Sequence, residues 1–464
     1  MCAIFGIVDH LEASHMTYLG LHALQHRGQE GAGIVSACEG KPYVVKKKGL
    51  VNEIFSAEEL AKLPGRQAIG HTRYSTAGGG GIENLQPLLL RTGQGWIALA
   101  HNGNLVNAEA LTQRLEQMGS IFQSSSDTEV IIHLIARTGE PDLVKALTAA
   151  LTQVEGAYSL LVMNENTLIA VRDPLGIRPL VLGRLNDSPV FASETTAFDL
   201  MGAKFEREIA PGEMVIVDLE RKGPLRSFYP FHELKPKKCI FEQIYFARPD
   251  SVVFGAGVYE TRKALGKQLA LEQPASDAHL VIPVPDSGVY AAIGYAEVSK
   301  LPFEMGIIRS HYMGRTFIEP AQSIRDFGVK LKLNPVSQFL QGKKVVIVDD
   351  SIVRGTTSRK LIQHLRDAGA QEVHLRISSP PTKHPCFYGI DTPTQEELLA
   401  SSQTVEQMRK FIGADTLGFL SLEGLLKVSE KKSRPGFCHA CFSGEYPITA
   451  PKRRYSSNLH SLSN

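Results

Sequence analysis

The sequence predicts two domains of different class: an α+β sandwich of sheets covered by helices up to residue 230, then an α/β doubly wound parallel sheet. Three observations carry this. Val345-Val346-Ile347-Val348 is a short, wholly apolar, β-branched run, the pattern of a strand buried on both faces of a parallel sheet. The chain around it keeps alternating strand with helix: a strand at 280–284, the turn Pro285-Asp286-Ser287-Gly288, a helix at 289–298, and a second apolar-faced helix at 359–368 closed by Gly369. Between 157 and 218, by contrast, strand follows strand through turns, at 158–163, 168–171, 189–192 and 214–217. A Pro- and Lys-rich stretch over 230–238 marks the boundary, at Tyr229-Pro230.

Bulk properties narrow the function. The 464 residues carry 50 basic and 48 acidic side chains, a balance that advertises neither a nucleic-acid nor an anionic-membrane partner. No apolar stretch approaches the ~20 residues that span a bilayer. Six cysteines in so long a chain do not make a disulfide framework, so a reducing, cytoplasmic setting is expected.

From the start, the chain reads Met1-Cys2-Ala3-Ile4. A residue as small as Cys2 permits removal of the initiator Met, which would set an α-amine of pKa near ~8 beside the thiol. That amine can act as general base to the thiol with no separate His; otherwise Cys2 simply starts a buried strand. Next come a Gly-punctuated loop over 24–34 containing Arg27, then His71-Thr72-Arg73-Tyr74-Ser75-Thr76 leading into Gly78 to Gly81, a mobile or tightly turned connection. His101-Asn102-Gly103-Asn104 follows an apolar stretch at 96–100, and the segment 124–129, with Asp127, caps an apolar helix.

Taken with Cys2, these pieces resemble the class II glutamine amidotransferase domain of the N-terminal nucleophile (Ntn) hydrolases, an αββα sandwich, over residues 2–230. The resemblance implies glutamine as substrate, Cys2 as nucleophile, and the Asn102 side chain with the Gly103 N–H as the oxyanion hole. It gives Arg73 a two-pronged hold on the α-carboxylate and gives Asp127 the α-ammonium. Arg27, counted with the glutamine-binding residues, would orient the freed N-terminus. Read alone, Arg73 could join a surface ion pair, Asp127 could cap a helix, and Asn102-Gly103 could be a hairpin turn. One departure is Ala3, where the family commonly has Gly. The string from Arg172 to Leu180 also matches the family and is expected to shape the contact between domains.

In the second half, Thr356, Thr357 and Ser358 are N-cap candidates. Strand, loop and helix start together aim N–H groups and a positive helix end at an anion, naturally a phosphate. Asp349 and Asp350 could accept from ribose hydroxyls or from the shell of a magnesium ion, although such a string also occurs as an ordinary turn. The full run Asp349-Asp350-Ser351-Ile352-Val353-Arg354-Gly355-Thr356-Thr357 resembles the phosphoribosyl-pyrophosphate (PRPP) motif of type I phosphoribosyltransferases, in the form found in the glutamine PRPP amidotransferase family. The resemblance implies that Asp349 and Asp350 hold the ribose hydroxyls and Ser351, Arg354, Gly355, Thr356 and Thr357 the 5-phosphate. Asp286, Ser287 and Gly288 would hold the pyrophosphate, with Mg2+ on Ser287, Asp349 and Asp350. The Arg- and Lys-rich segment 309–335 is either a solvated loop or, as in that family, one that folds over the polyanion and walls an ammonia passage.

Cys438-His439-Ala440-Cys441 is a C-x-x-C, with Cys239 and Cys386 far away in sequence. Spacing alone leaves zinc, an iron–sulfur cluster and no metal equally open. The strings following Cys239 and Cys386 resemble the family branch carrying a [4Fe–4S] cluster, which implies all four as ligands of a structural cluster pinning the tail of a 231–464 domain. Cys38 is expected to be an inert core residue.

The resemblance spans nearly the whole chain. It implies that ammonia released from glutamine passes internally to C1 of PRPP, giving 5-phosphoribosylamine, glutamate and pyrophosphate at the first step of de novo purine biosynthesis. It further implies a homotetramer or homodimer and feedback inhibition by purine nucleotides. Glucosamine-phosphate and asparagine synthases share the front half but lack the Asp349-Asp350 loop. A nucleotide-sensing regulator without catalysis is at odds with intact residues at both sites.

Overall fold

A computed structural model of the chain describes residues 2–74, 81–218, 223–310, 333–430 and 436–449. Met1, most of the four-glycine connection, the centre of the basic segment and the polar tail at 452–464 lie outside these residues. The ends of the basic segment are described: Ile307–Arg309 pairs antiparallel with Leu333–Pro335.

The front half is four layers deep. One seven-stranded antiparallel sheet contains Ala3–Ile7 at its centre, between Ser188–Ala192 and Gln67–Arg73. A six-stranded antiparallel sheet contains Gly95–Leu105, paired with Leu88–Thr92 and Gly156–Met163. Strand alternation decides which side chains lie between the sheets. Ile4 and Ile69 from the first sheet meet Ala98, Ala100 and Leu161 from the second. Their neighbours turn outward: Ala3, Phe5 and Ile7 pack with Ala13 and Leu21 of the helix Ala13–Ala23, and Leu99 and Leu160 pack with Ile131 and Leu147 from the helices on the opposite side. Ala3 therefore uses its methyl group as outer core, which accounts for a side chain being accommodated there.

The second half holds a four-stranded parallel sheet in the order Leu280–Pro283, Lys344–Asp349, Glu372–Ile377, Thr416–Phe419. A bridge from Val281 to Phe303 adds a rudimentary strand outside the first. Strand order thus reverses between Leu280–Pro283 and Lys344–Asp349, the topological switch point at which doubly wound sheets bind ligands. Both faces are covered. Val281, Val346 and Val348 join the core under the helices Val258–Glu272 and Val289–Ser299, and Ile282, Val345 and Ile347 join the core under Thr356–Asp367. Thr356, Thr357 and Ser358 are inside the first turn of that helix, not its cap; Gly355, at φ +72°, takes the cap position, since the left-handed turn there costs glycine little.

A buried ionic cluster joins the halves. Arg27, fully buried, donates to Glu194 at 2.5 Å and to both oxygens of Glu242 at 2.7 and 3.0 Å. Glu242 opens a single π-turn, Glu242–Phe246, in the second half, and Arg178 from the front half approaches it at 3.5 Å. Glu194 also accepts from the Arg248 N–H and the Ser251 hydroxyl. Burial alone would raise the Glu194 pKa, but the charges of His26 and Arg27 outweigh it and hold the carboxyl well below the usual range. A depressed folded pKa stabilises the protein above the ordinary Glu value and loses that stabilisation as pH falls through the folded value. Replacing Glu194 leaves part of a buried charge uncompensated, so Glu194→Ala should cost about 3–5 kcal/mol at neutral pH. Calorimetry from pH 7 to pH 3 should show the deficit shrinking with acidity.

Candidate functional site

The period-2 argument that builds the front half also builds its site. Cys2 lies on the face of Ile4, Arg73 on the face of Ile69, and Asn102 on the face of Ala98 and Ala100, so all three face the space between the sheets. The register that pairs Ala3 with Thr72 brings Cys2 beside Arg73. The Cys2 thiol donates to the Tyr74 carbonyl at 3.6 Å, and the Cys2 carbonyl accepts from Arg27 Nε at 3.1 Å. With its guanidinium shared between two carboxylates and its Nε on this carbonyl, Arg27 is placed to hold the main chain of Cys2.

Asn102 and Gly103 do not form a turn; they lie within Gly95–Leu105, opposite Ser159 and Tyr158. Asn102 is fully buried, and neither its amide nitrogen nor its oxygen has a hydrogen-bond partner. An orphaned buried amide is costly unless a ligand completes it. The N–H groups of His101 and Leu105 go to Gln86 at 2.7 Å and Asp127 at 2.8 Å. Tyr158 sends its own N–H and carbonyl away, to Asp173. Alternation therefore turns the Gly103 N–H toward the Gln86–Asp127 side. Asp127 begins the helix Asp127–Thr138, which Ser126 caps, and Arg73 donates to the Asn84 carbonyl at 2.6 Å. Cys38 ends the strand Gly31–Cys38 half-buried, at a sheet rim and not in the core as the sequence suggested.

The second site forms where the parallel strands end. Ser287 donates to Asp349 at 3.4 Å, and the Asp350 N–H to the same carboxylate at 2.9 Å. Burial, then the neighbouring charge of Asp350, pushes the Asp349 carboxyl well above the usual range, so the pair favours a cation or hydroxyl donors. Gly288 has no room for a side chain: a Cβ would lie 2.2 Å from the Val348 carbonyl. Asp286 pairs with Arg309, and Arg354 turns to Glu397 at 2.9 Å. Ser287, Asp349, Asp350, Ser351, Arg354, Gly355, Thr356 and Thr357 line one cavity of about 500 Å³, and Asp286 and Ser287 line a neighbouring one of about 590 Å³. Tyr74, Tyr245 and Asp391 border both. Burial, then Asp350, Asp349 and Tyr74, push the Tyr245 hydroxyl up to about 12.

Cys239, Cys386, Cys438 and Cys441 converge on the wall of the first cavity, Cys239 and Cys438 as neighbours in a short parallel pair. Burial first, then the other sulfurs, drives the Cys438 thiol up to about 12 and Cys441 well above its ordinary value. Among the described residues, the acid, histidine or cysteine group with three ligand atoms all within 4.8 Å is Asp277, Glu372 and His374, and there the Lys344 ammonium already lies 2.8 Å from Glu372 and 3.2 Å from Asp277. Sequence reasoning gave no role to Glu194, which stands in no motif, nor to Tyr74, Tyr245 and Asp391, which lie inside strings singled out for other residues.

Known proteins match both halves of the chain. Residues 71–200 match the family described as "Glutamine amidotransferase domain" and residues 268–379 the family described as "Phosphoribosyl transferase domain". The Amidophosphoribosyltransferase of Bacillus subtilis (strain 168) is 54% identical over 450 residues, 96% of this chain and 94% of that protein. Amidophosphoribosyltransferase 1, chloroplastic, of Arabidopsis thaliana is 53% identical over 449 residues, 96% of this chain and 78% of that one. The solved structure of glutamine PRPP amidotransferase from B. subtilis complexed with ADP and GMP superposes with a TM-score of 0.91 at 52% identity, covering 97% of this chain and 98% of that chain. With both domains matched in order and more than half of the residues identical along nearly the whole length, this chain belongs to the amidophosphoribosyltransferase family.

Proposed function

We propose that this amidophosphoribosyltransferase, acting at the first step of purine biosynthesis, splits its reaction between a glutaminase unit at 2–230 and a phosphoribosyl unit at 231–464. The observation that carries the reading is Tyr74. Its carbonyl receives the Cys2 thiol, and the residue borders the cavities that contain Asp349 and Ser287.

With Met1 removed, the Cys2 amine takes the thiol proton and sulfur attacks the glutamine side-chain carbonyl carbon. Negative charge then develops on the former carbonyl oxygen, where the free amide of Asn102 and the N–H of Gly103 receive it. Arg73 holds the α-carboxylate and Asp127 the α-ammonium. The protonated Cys2 amine returns its proton to the amide nitrogen as the C–N bond breaks, ammonia leaves, and water releases glutamate from the thioester. Ammonia travels past Tyr74 and Tyr245, whose hydroxyl stays protonated at neutral pH. Shielded from bulk water it remains NH3 and keeps its lone pair for attack on C1 of PRPP. Asp349 and Asp350 orient the ribose hydroxyls, the loop from Ser351 to Thr357 binds the 5-phosphate, and the turn Asp286-Ser287-Gly288 binds the departing pyrophosphate.

Mg2+ on Ser287, Asp349 and Asp350 would neutralise the pyrophosphate as it leaves; two adjacent carboxyl groups with the Ser287 hydroxyl 3.4 Å from one of them are the oxygen donors such an ion takes. A [4Fe–4S] cluster on Cys239, Cys386, Cys438 and Cys441 would pin the C-terminal segment to the phosphoribosyl unit. Four thiols on one cavity wall suit zinc or a cluster; the likeness of the strings following Cys239 and Cys386 to the cluster-bearing branch supports the cluster. Regulation by purine nucleotides is proposed because a relative's solved structure holds ADP and GMP. A homotetramer or homodimer and a cytoplasmic location complete the proposal; among the described residues no helix is long and apolar enough to cross a membrane.

Cys2→Ala should abolish glutamine-driven turnover and spare ammonia-driven turnover, measured as pyrophosphate release; equal loss of both refutes the division of labour. Asp349→Asn with Asp350→Asn should raise the KM for PRPP by at least about 100-fold with either nitrogen donor, each lost charged contact contributing about 1.5–3 kcal/mol. Protein purified without oxygen should be brown and carry about four iron and four sulfide per chain. Colourless protein containing zinc would overturn the cluster.

A further inference from the structure

The strand that carries Asn102 and Gly103 outruns one of its neighbours. Leu88–Thr92 pairs with it only from Gly95 to Leu99, and among the described residues no strand covers that side of 100–105. The Gly103 N–H leaves the sheet along this uncovered edge. A group meant to meet a developing oxyanion must be fixed before the charge appears; on this edge Gln86 and Asp127 hold the flanking His101 and Leu105 N–H groups, but among the described residues no strand pairs beside Gly103 itself.

The segment that covers it comes from the other half of the chain. Gly389 lies so close against Gly103 that a Cβ on it would stand 3.0 Å from the Gly103 carbonyl carbon and 3.1 Å from its Cα and oxygen. Its φ of +102° also suits glycine alone. Two residues earlier, the Phe387 carbonyl accepts from Asn104 Nδ2 at 3.0 Å. The covering loop is itself held firmly: the Cys386 N–H donates to Thr392 at 2.7 Å, and the Tyr388 hydroxyl donates to the Ile448 carbonyl at 2.5 Å. Gly103 cannot yield backward, because its own missing Cβ would stand 1.9 Å from the Ala157 carbonyl.

We infer that Gly389 and Asn104 are positioning residues for the glutaminase reaction: the 387–389 loop of the phosphoribosyl half presses and pins residues 103–104, and so sets the direction of the Gly103 N–H. This rests on Asn102 and Gly103 being the oxyanion hole. Neither Gly389 nor Asn104 touches glutamine; they act through the strand.

The test compares Gly389→Ala, Asn104→Ala and Asn102→Ala in the full-length protein. Each is assayed for glutamine kcat and KM, for ammonia-driven turnover, and for affinity toward glutamate γ-semialdehyde, which forms a thiohemiacetal oxyanion on Cys2, relative to glutamate. Gly389→Ala and Asn104→Ala should lower glutamine kcat and semialdehyde affinity about 10- to 100-fold, because small misplacements of a reacting geometry reach that size. KM for glutamine, glutamate affinity and ammonia-driven turnover should stay within about threefold of wild type. If Gly389→Ala does not fold, Asn104→Ala, which introduces no clash, decides alone. Unchanged kcat and semialdehyde affinity in Asn104→Ala overturns the inference, as does parallel loss of glutamate affinity or ammonia-driven turnover. An Asn102→Ala enzyme with full glutamine kcat would instead refute the oxyanion reading beneath it.

Discussion

The Arg27 guanidinium, sealed from water and shared between Glu194 and Glu242, is the interaction on which the rest depends. A lone charge in that position would be prohibitive, and two carboxylates from different parts of the chain make it tolerable. Glu194 follows a strand of the first sheet, while Glu242 stands three residues after Cys239. The same guanidinium holds the carbonyl of Cys2. One buried cation thus fixes the nucleophile's backbone and ties it to the segment that carries a cysteine of the second half.

Around that point, geometry follows from simple periodicities. Alternation along Ala3–Ile7, Gln67–Arg73 and Gly95–Leu105 sends Cys2, Arg73 and Asn102 into one space, though 71 and 29 residues separate successive members. In the parallel sheet, reversal of strand order opens the crevice that Ser287 and Asp349 enter from adjacent strand ends. Tyr74 and Tyr245 lie where these two constructions meet.

What could be read from the sequence follows the same division. Strand–loop–helix at 345–368, the sheet-rich stretch at 157–218 and the motif residues were legible because each rests on local pattern or on a side-chain type its chemistry demands. The strand placement of Asn102-Gly103 was not, because Asn-Gly favours turns locally and only pairing with Gly156–Met163 overrides that preference. The helix at Thr356 starts earlier than its polar residues suggested, since Gly355 supplies the cap. The ionic cluster was illegible for a plainer reason: Arg27 meets partners 167 and 215 residues away, and a buried Glu looks like any other in sequence.

The strand that runs past its neighbour has a cost if the chain is ever divided. Among the described residues no strand ladder covers one flank of residues 100–105; Gln86 and Asp127 hold two N–H groups there, and a segment from the distant C-terminal half shields it further. A bare flank of that kind is a template for pairing with other molecules. A fragment ending near residue 230 would keep Gln86 and Asp127 on that flank but lose the 387–389 cover, and with it Glu242 beside Arg27, and should clump rather than stand as a free glutaminase. The two halves are therefore poor candidates for cut-and-paste engineering, however separable their sheets look.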